Sequence, residues 1–431
     1  MATDITPTPR FHDPWLTASG EALKAVGMAM ANSVEGQLGR DGRRTRQDIA
    51  ARRLTLVENI AANLVVLTQS PDYEVGKRLA ISTNKHRVSR YDRPDFPQRP
   101  LAGVLKTLDR SGLIHHTPHE FKRAYTTIAP SARFWEMVQE CRATISDVGR
   151  APGAETIWLG ARKDNEEGKP RFFGERQPKV LVQYEDTPET IRLREEMETI
   201  NACLNKHVVA FAGVRQPPIH MVRWFLLRRP SDPIAFDLVG RLAQGWWMSL
   251  PKEQRYLVTI DGEDTVDVDW QGMWAQLLYV RAGLPLPGFD PYAVPGLERH
   301  RAGAKTAFLS MVARKGPMVR LTKKLKAELP EGWDSRQVVQ AIEQRHVPIK
   351  HYFGQDLAVD LMAMESRILV RLLLDLASNG IPFLPVHDGG QARRRDRDAV
   401  MEAMRRVSTE ELGVELPVVE KPIWRPSAVA A

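Results

Sequence analysis

The sequence is poor in cysteine and has no long apolar run. Only two of its 431 residues are cysteines, Cys141 and Cys203, which is too few for a disulfide framework or a four-cysteine zinc site. No apolar run approaches the length of a membrane-spanning helix. The N-terminus also lacks the charged and then apolar pattern of a signal peptide. These absences favour a cytoplasmic protein in a reducing compartment, without a membrane partner.

What is present is an ordinary globular composition with an excess of positive charge. Hydrophobic residues make up 43% and charged residues 26% of the chain, which excludes a wholly disordered or collagen-like protein. Lysine and arginine number 61 against 53 acidic residues, a net charge of +8. Such an excess favours anionic partners, namely nucleic acid, nucleotides or acidic lipid.

Changes in composition and periodicity predict five segments along the chain. Residues 1–17 carry three prolines and predict a flexible arm, while residues 426–431 predict a flexible tail. Residues 18–148 show apolar residues at helical spacing and predict a mainly helical domain. Residues 149–185 concentrate glycine, proline and charge, which predicts a linker or an insertion. Residues 186–425 open with an N-cap and a proline at a helix start, and they predict a second domain.

The first domain ends in a pattern typical of the wing of a winged-helix module. Apolar residues within 101–108 recur at helical spacing, and Gly112 is placed to end that helix. Two β-type runs follow, at 113–116 and 124–128, with a short polar stretch between them. A helix followed directly by a hairpin predicts a nucleic-acid-binding winged helix. A plain helical domain that ends in a hairpin is the alternative.

Arginines crowd one short stretch of this first domain. They are Arg40, Arg43, Arg44, Arg46, Arg52 and Arg53. Beside a winged-helix module such a cluster indicates contact with nucleic-acid phosphates. The same run is equally compatible with a solvated charged face.

Two carboxylates in the second domain stand at predicted strand ends. Valine and aspartate alternate over residues 265–270, so one strand face is apolar and the other carries Asp267 and Asp269. The spacing then becomes helical, which places Asp269 where a strand gives way to a helix. A second apolar strand, at 381–386, is followed by His387 and Asp388. Carboxylates so placed are suited to a hard cation such as Mg²⁺, although acidic residues at strand ends are often structural.

Two cations lie between these carboxylates in the chain. Arg301 and Lys305 are one turn apart on a predicted helix and so share one face. A pair of cations at this spacing can clamp a triphosphate. An exposed basic helix is the plainer interpretation of the pair taken alone.

The order of these three segments resembles the palm and fingers of family A nucleic-acid polymerases, over residues 185–425. In that family, motif A is an aspartate at a strand end that enters a helix, and motif B is Arg-x-x-x-Lys on the fingers helix. Motif C is an apolar strand that ends in Val-His-Asp. The nearest similarity is to small phage- or plasmid-type members that lack the exonuclease. The residues at the matching places are Asp269, Arg301, Lys305, His387 and Asp388.

The resemblance implies an α/β (α+β) core in which an antiparallel palm sheet carries both aspartates and the thumb and fingers are helical. It implies that Asp269 and Asp388 bind two Mg²⁺ ions, with Mn²⁺ as the alternative, for nucleotide transfer to a primer 3′ end. Lys305 joins these two as a catalytic candidate. The implied partners are nucleoside triphosphates and primer–template or single-stranded DNA.

The resemblance also implies binding residues around this centre. The nucleotide-binding candidates are Arg301, Lys305, Trp274 and Phe308. The primer–template candidates are His387, Arg241 and Arg255. Trp274 stands where DNA-making members carry a glutamate that excludes the ribose 2′-hydroxyl, which favours deoxynucleotides. Phe308 lies out of register with the tyrosine that many members carry at the place of Ala313 here.

Two other functions remain open from the sequence. The first is a phage-type single-subunit RNA polymerase or a primase that uses the same palm. The second is a non-catalytic DNA-binding replication or regulatory protein in which the palm is only a scaffold. The altered residues Trp270, Trp274 and Ala313 keep the second one open, because they depart from the polymerase motifs.

Overall fold

The computed structural model describes residues 8–39, 47–83, 89–119, 125–162 and 179–425. The helices within these ranges are α1 Glu21–Gly39, α2 Gln47–Gln69, α3 Gln98–Arg110, α4 Ala132–Glu140, α5 Pro188–Asn205, α6 Met273–Arg281, α7 Arg301–Ala313, α8 Lys323–Ala327, α9 Ser335–Arg345, α10 Ala358–Ser378 and α11 Arg397–Leu412. None of them combines the length and the apolar character that crossing a membrane requires.

The strands of the first half are short. They are β1 Arg10–Phe11, β2 Leu16–Ala18, β3 Leu79–Ile81, β4 Ile114–Thr117, β5 Thr126–Pro130, β6 Val148–Arg150, β7 Ile157–Arg162 and β8 Lys179–Leu181. The later strands are β9 Val209–Phe211, β10 Val214–Arg215, β11 Val222–Leu227, β12 Val239–Ala243, β13 Val258–Ile260, β14 Glu263–Trp270, β15 Phe383–Val386, β16 Gly389–Arg393 and β17 Val418–Lys421.

The chain divides into two compact units that are not continuous in sequence. Unit 1 comprises Met1–Glu155, His207–Ile219 and Leu257–Gly262. Unit 2 comprises Thr156–Lys206, His220–Tyr256 and Glu263–Ala431. The two later segments of unit 1 carry β9, β10 and β13, which pair with one another in antiparallel fashion. No shift in composition marks these two segments. Only their tertiary contacts assign them to unit 1.

Unit 1 packs helices against a four-stranded sheet in the order β1-β3-β5-β4. Leu101, Leu105 and Leu108 of α3 are fully buried in its core, together with much of α2. After α3 the chain forms the antiparallel hairpin β4–β5, and Gly112 takes a positive φ of 68° at the turn between helix and hairpin. The predicted sequence of a helix, a glycine stop and two paired strands is therefore confirmed.

Residues 8–17, predicted as part of a flexible arm, instead form β1 and the start of β2. Trp15 and Leu16 are 6% and 5% exposed. The side-chain amide of Asn59 donates to the carbonyls of Asp13 and Leu16 at 2.9 and 2.8 Å. A buried amide on α2 thus anchors this segment, and local composition gives no sign of that contact. Residues 1–7 and the predicted tail 426–431 lie outside the described residues.

A sheet in the order β12-β11-β7-β8 forms one part of unit 2. Its strand β7 lies inside the segment 149–185 that the sequence predicts as a linker or insertion. β7 pairs in parallel with β11, and Ile157, Leu159 and Ala161 are fully buried. The glycine and charge of the surrounding residues obscure this short apolar strand. Residues 163–178 lie outside the described part of the chain.

The other sheet of unit 2 holds the strands β17-β14-β16-β15, with all neighbours antiparallel. In β14, Val266 and Val268 are 2% and 0% exposed, as the alternation of valine and aspartate predicts. Gly272, with a left-handed φ of 65°, caps α6 directly after this strand. The mixed α/β class with antiparallel sheets, and the transition from strand to helix after Asp269, are both confirmed.

Candidate active site

Asp269 and Asp388, which are far apart in the chain, lie on neighbouring strands. Asp269 of β14 is the register partner of Gly389 in β16, and Asp388 directly precedes that glycine. The backbone N–H of Trp270 donates to the carbonyl of Asp388 at 3.3 Å. Adjacent strands lie about 4.8 Å apart, so the two aspartates occupy one small region of the sheet.

Gly389 is required for this close approach. A Cβ atom at this position would lie 2.3 Å from the Val268 carbonyl oxygen and 2.9 Å from the Asp269 Cβ. Any side chain would therefore push β16 away from β14 and separate the carboxylates. His387, which directly precedes Asp388, has a positive φ of 56°. This backbone conformation costs energy for a residue with a side chain.

The carboxylate of Asp269 is buried and only half satisfied. The residue is 5% exposed, and Lys421 of β17 forms an ion pair with its Oδ2 atom. Its Oδ1 atom is buried and accepts no hydrogen bond from any residue that the structure describes. A buried anionic oxygen without a donor is costly, and a bound cation would satisfy it.

Asp388 lies in a group of positively charged and titratable side chains. Burial raises the pKa of its carboxyl group, while the charges of Lys305, His387 and Arg241 act in the opposite direction. Burial lowers the pKa of His387, and Arg241 lowers it further. The structure thus brings four of the residues predicted for the site together.

Glu365 belongs to the same cluster, although no sequence motif marks it. This α10 residue is 1% exposed, and its carboxylate lies 2.8 Å from Nη2 of Arg241. It also accepts a hydrogen bond from Nε1 of Trp274 at 2.7 Å. Burial raises the pKa of Glu365, and the charge of Asp388 adds to that shift. A glutamate on the apolar face of a predicted core helix was the available signal, because an acidic residue there needs a partner.

The two cations of α7, Arg301 and Lys305, differ in whether an acidic residue pairs with them. Arg301 is engaged by Asp290, to whose Oδ1 its Nη2 donates at 2.9 Å. Lys305 is exposed and makes no ion pair with the described residues. Its Nζ atom lies 5.6 Å from the ring centroid of Tyr292, and the Arg301 guanidinium lies 5.4 Å from the same ring. Tyr292 therefore holds both cations on one side of α7.

Two predicted binding residues have structural partners instead. Phe308 is 1% exposed, and its ring lies 5.0 Å from that of His346 and 5.4 Å from that of Phe353. The Phe308 ring is therefore part of the core around α7, and its contact with a nucleotide stays a prediction. Arg255 forms an ion pair with Asp267 at 3.2 Å, so its guanidinium is not free for a primer–template contact.

The predicted arginine cluster of unit 1 is only partly within the described residues. Arg40, Arg43, Arg44 and Arg46 lie outside them. Arg52 is exposed on α2, whereas Arg53 forms an ion pair with Glu35 at 2.8 Å. Phosphate contact by this cluster stays a prediction.

No protein-family model matches the chain, and no curated protein sequence is significantly similar to it. Within the described ranges, no group of three or more His, Cys, Asp or Glu side chains is placed to hold a metal ion. A cation at this site would therefore rest on Asp269 and Asp388. The two residues fit such an ion, because the Oδ1 atom of Asp269 is buried without a donor.

Proposed function

We propose that the chain is a template-directed nucleotidyltransferase, a family A-like DNA polymerase that extends a primer 3′ end. The observation that carries the proposal is the position of Asp269 beside Asp388 on neighbouring antiparallel strands. In this proposal the sheet β14–β17 is the palm and the helices α7 to α9 are the fingers.

The two aspartates would hold Mg²⁺, or Mn²⁺ as the alternative. When bound, the ions activate the primer hydroxyl and neutralise charge on the departing pyrophosphate. Two properties of the chain support this assignment. Asp269 has a buried oxygen without a donor among the described residues, and Asp388 directly precedes the register partner of Asp269 on the neighbouring strand.

Lys305 is the best-placed cation for the incoming triphosphate. It is exposed and unpaired among the described residues, and its charge acts on Asp388. Fixed positive charge at this place stabilises the charge that develops on phosphoryl oxygens in the transition state. Without a nucleotide, Arg301 pairs with Asp290. When the nucleotide binds, Arg301 would exchange this carboxylate for a phosphate group.

Trp274 and Glu365 would shape the sugar pocket. The indole is held by its hydrogen bond to Glu365 and lies 5.9 Å from the Arg241 guanidinium, measured to the ring centroid. A bulky side chain whose orientation is set in this way excludes a ribose 2′-hydroxyl by its volume. The proposed substrates are therefore deoxynucleoside triphosphates, and Arg241 and His387 are placed for the primer end.

A primer-extension assay tests the proposal. Asp388→Asn and Asp269→Asn should each abolish extension in the presence of Mg²⁺, because each removes charge from the cation site. The matched control is Asp264→Asn on the same strand, whose carboxylate pairs with Arg425 at 2.8 Å. Equal extension by wild type, Asp388→Asn and Asp264→Asn would reject the assignment. Preferential extension with ribonucleotides would support an RNA polymerase or primase instead.

One contact favours a second candidate function. Lys421 forms an ion pair with Asp269, so an internal ammonium group already occupies one oxygen of a proposed cation ligand. A chain in which this ion pair replaced the cation would be a non-catalytic DNA-binding protein with a polymerase-like scaffold. It would bind DNA with strong salt dependence but would show no Mg²⁺-dependent binding of nucleotides.

A further inference from the structure

Helix α3 of unit 1 has a basic face that the fold does not use. One side of the helix, with Leu101, Leu105 and Leu108, is buried in the core of the unit. The opposite side is exposed, and at 100° per residue four of its residues fall within about 60° of one another. We call them the α3 face: Arg99, Gly103, Lys106 and Arg110.

The cations of this face have no partner in unit 1. Arg99, Lys106 and Arg110 make no hydrogen bond and no ion pair with any residue that the structure describes. The neighbouring carboxylate of Asp109 is engaged elsewhere, since it accepts the backbone N–H of His116 at 2.9 Å. The α3 face therefore presents three cations that have no ion-pair partner among the described residues.

Gly103 in the middle of this face has no structural reason to be glycine. A glycine inside a helix destabilises it relative to alanine. A Cβ atom at Gly103 would have no other atom within 4 Å, and the residue is not among those with positive φ. Neither packing nor backbone geometry requires the glycine, whereas a partner that approaches the helix closely would.

The hairpin next to α3 holds the helix in a fixed orientation. Arg78 donates to the Thr127 hydroxyl at 2.8 Å and to the His115 carbonyl at 2.7 Å, which ties together the strands behind the helix. The bond between Asp109 and His116 joins α3 to β4. These bonds fix the position of α3, so the helix needs little ordering when a partner binds to the α3 face.

The dimensions of the face match the major groove of duplex DNA. Arg99 and Arg110 are separated by about 16 Å along the helix at 1.5 Å per residue, and the major groove of B-DNA is about 12 Å wide. The end cations can reach phosphates on both rims while Gly103 and Lys106 face the base edges. We propose that α3 inserts this face into the major groove of double-stranded DNA. This would be a binding surface separate from the proposed catalytic centre.

The test measures binding of the full-length chain to a short blunt-ended DNA duplex, by fluorescence anisotropy without nucleotide or divalent cation. Gly103→Glu should weaken binding by about tenfold or more, because it adds bulk and negative charge where the groove floor approaches. Lys106→Gln and Arg110→Gln should each reduce the slope of log K against log salt by about one. Gly103→Ala should raise the thermal unfolding midpoint and weaken duplex binding at the same time.

Gly36→Glu is the matched control. Gly36 is exposed on α1, and a Cβ there would also have no other atom within 4 Å, so the substitution is the same in charge and in helical context. It should weaken duplex binding much less than Gly103→Glu does. Equal losses in the two glutamate variants, no loss in Gly103→Glu, or equal affinity for an RNA duplex, whose major groove is too narrow for a helix, would each overturn the proposal.

This inference and the proposed function fail separately. The α3 variants should bind the blunt duplex less tightly but should still extend a saturating primer–template. Circular dichroism of each variant establishes that it is folded. Normal duplex binding by a folded Gly103→Glu variant would contradict the assignment of binding to α3, whatever the result of the extension assay.

Discussion

The Trp274 indole donates a hydrogen bond to the Glu365 carboxylate at 2.7 Å. The bond joins α6, which directly follows the strand of Asp269, to the long helix α10. Because Glu365 is 1% exposed, a carboxylate at this depth needs its partners. The bond fixes the orientation of the indole, and the first prediction depends on it.

Replacing Trp274 should change sugar selection. If the indole excludes the ribose 2′-hydroxyl, Trp274→Ala should lower the preference for deoxynucleotides over ribonucleotides by about tenfold or more. The measurement is single-nucleotide extension with each substrate on one template. Trp274→Phe is the control, because it keeps an aromatic ring but loses the bond to Glu365, and it should give an intermediate preference. An unchanged preference in Trp274→Ala would remove this residue from the sugar pocket.

Lys421 should compete with divalent cations for Asp269. Lys421→Gln removes the ammonium group from Oδ2 of that aspartate and should raise the affinity for Mn²⁺ by about tenfold. Electron paramagnetic resonance of free Mn²⁺ measures this directly. Lys252→Gln removes an exposed charge of the same sign and should change the affinity much less. Equal affinities in wild type and Lys421→Gln would show that this aspartate is not a cation ligand.

Acidification should destabilise the region around His346. This imidazole is fully buried, and its Nε2 lies 2.8 Å from the Pro291 carbonyl. Burial lowers its pKa from the ordinary value of 6.5, and Arg345 lowers it further. The folded state therefore keeps His346 neutral, while the unfolded chain takes up a proton below pH 6.5. The stability supplied by the neutral ring is present above that pH and is lost as the pH falls.

The comparison of wild type with His346→Gln isolates this effect. Thermal unfolding midpoints should fall more steeply in the wild type than in the variant between about pH 7.5 and about pH 5.5. Parallel curves for the two proteins would show that His346 protonates as easily in the folded state as in the unfolded one.

Phe308 should contribute to stability rather than to nucleotide binding. Phe308→Ala should reduce the free energy of unfolding by about 3–5 kcal/mol, because the ring packs against His346 and Phe353. Chemical denaturation measures the loss. Phe289→Ala is the control, since that ring is 36% exposed and its removal should cost much less. A normal free energy of unfolding combined with a raised KM for nucleotides in Phe308→Ala would restore the nucleotide-binding role.

Local sequence patterns were sufficient to predict the features that depend on residues close together in the chain. The alternation of valine and aspartate predicted which face of β14 is apolar, because side chains in a strand alternate between faces. Gly112 stands at a turn with a positive φ, where glycine is the residue that adopts the conformation without cost. These features predicted the strand that carries Asp269 and the helix and hairpin of unit 1.

The binding residues were predicted less well, because their environment is set by distant parts of the chain. Arg255 and Phe308 have residue types suited to DNA and nucleotides, yet Asp267 engages the first and the core around α7 encloses the second. Glu365 is an ordinary helix residue by its neighbours in sequence. Its partners Arg241 and Trp274 approach it only in the folded chain.

The sequence by itself determined the strand of Asp269 and the helix that follows it, the helix and hairpin of unit 1, the excess of positive charge and the two aspartates at strand ends. Only the tertiary structure decided that β14 and β16 pair in the register that sets Asp269 opposite Gly389, and that unit 1 includes two later segments of the chain. The physical reason is that alternation and turn chemistry act between residues close in sequence. Strand partners are chosen by burial and hydrogen bonding summed over the whole unit.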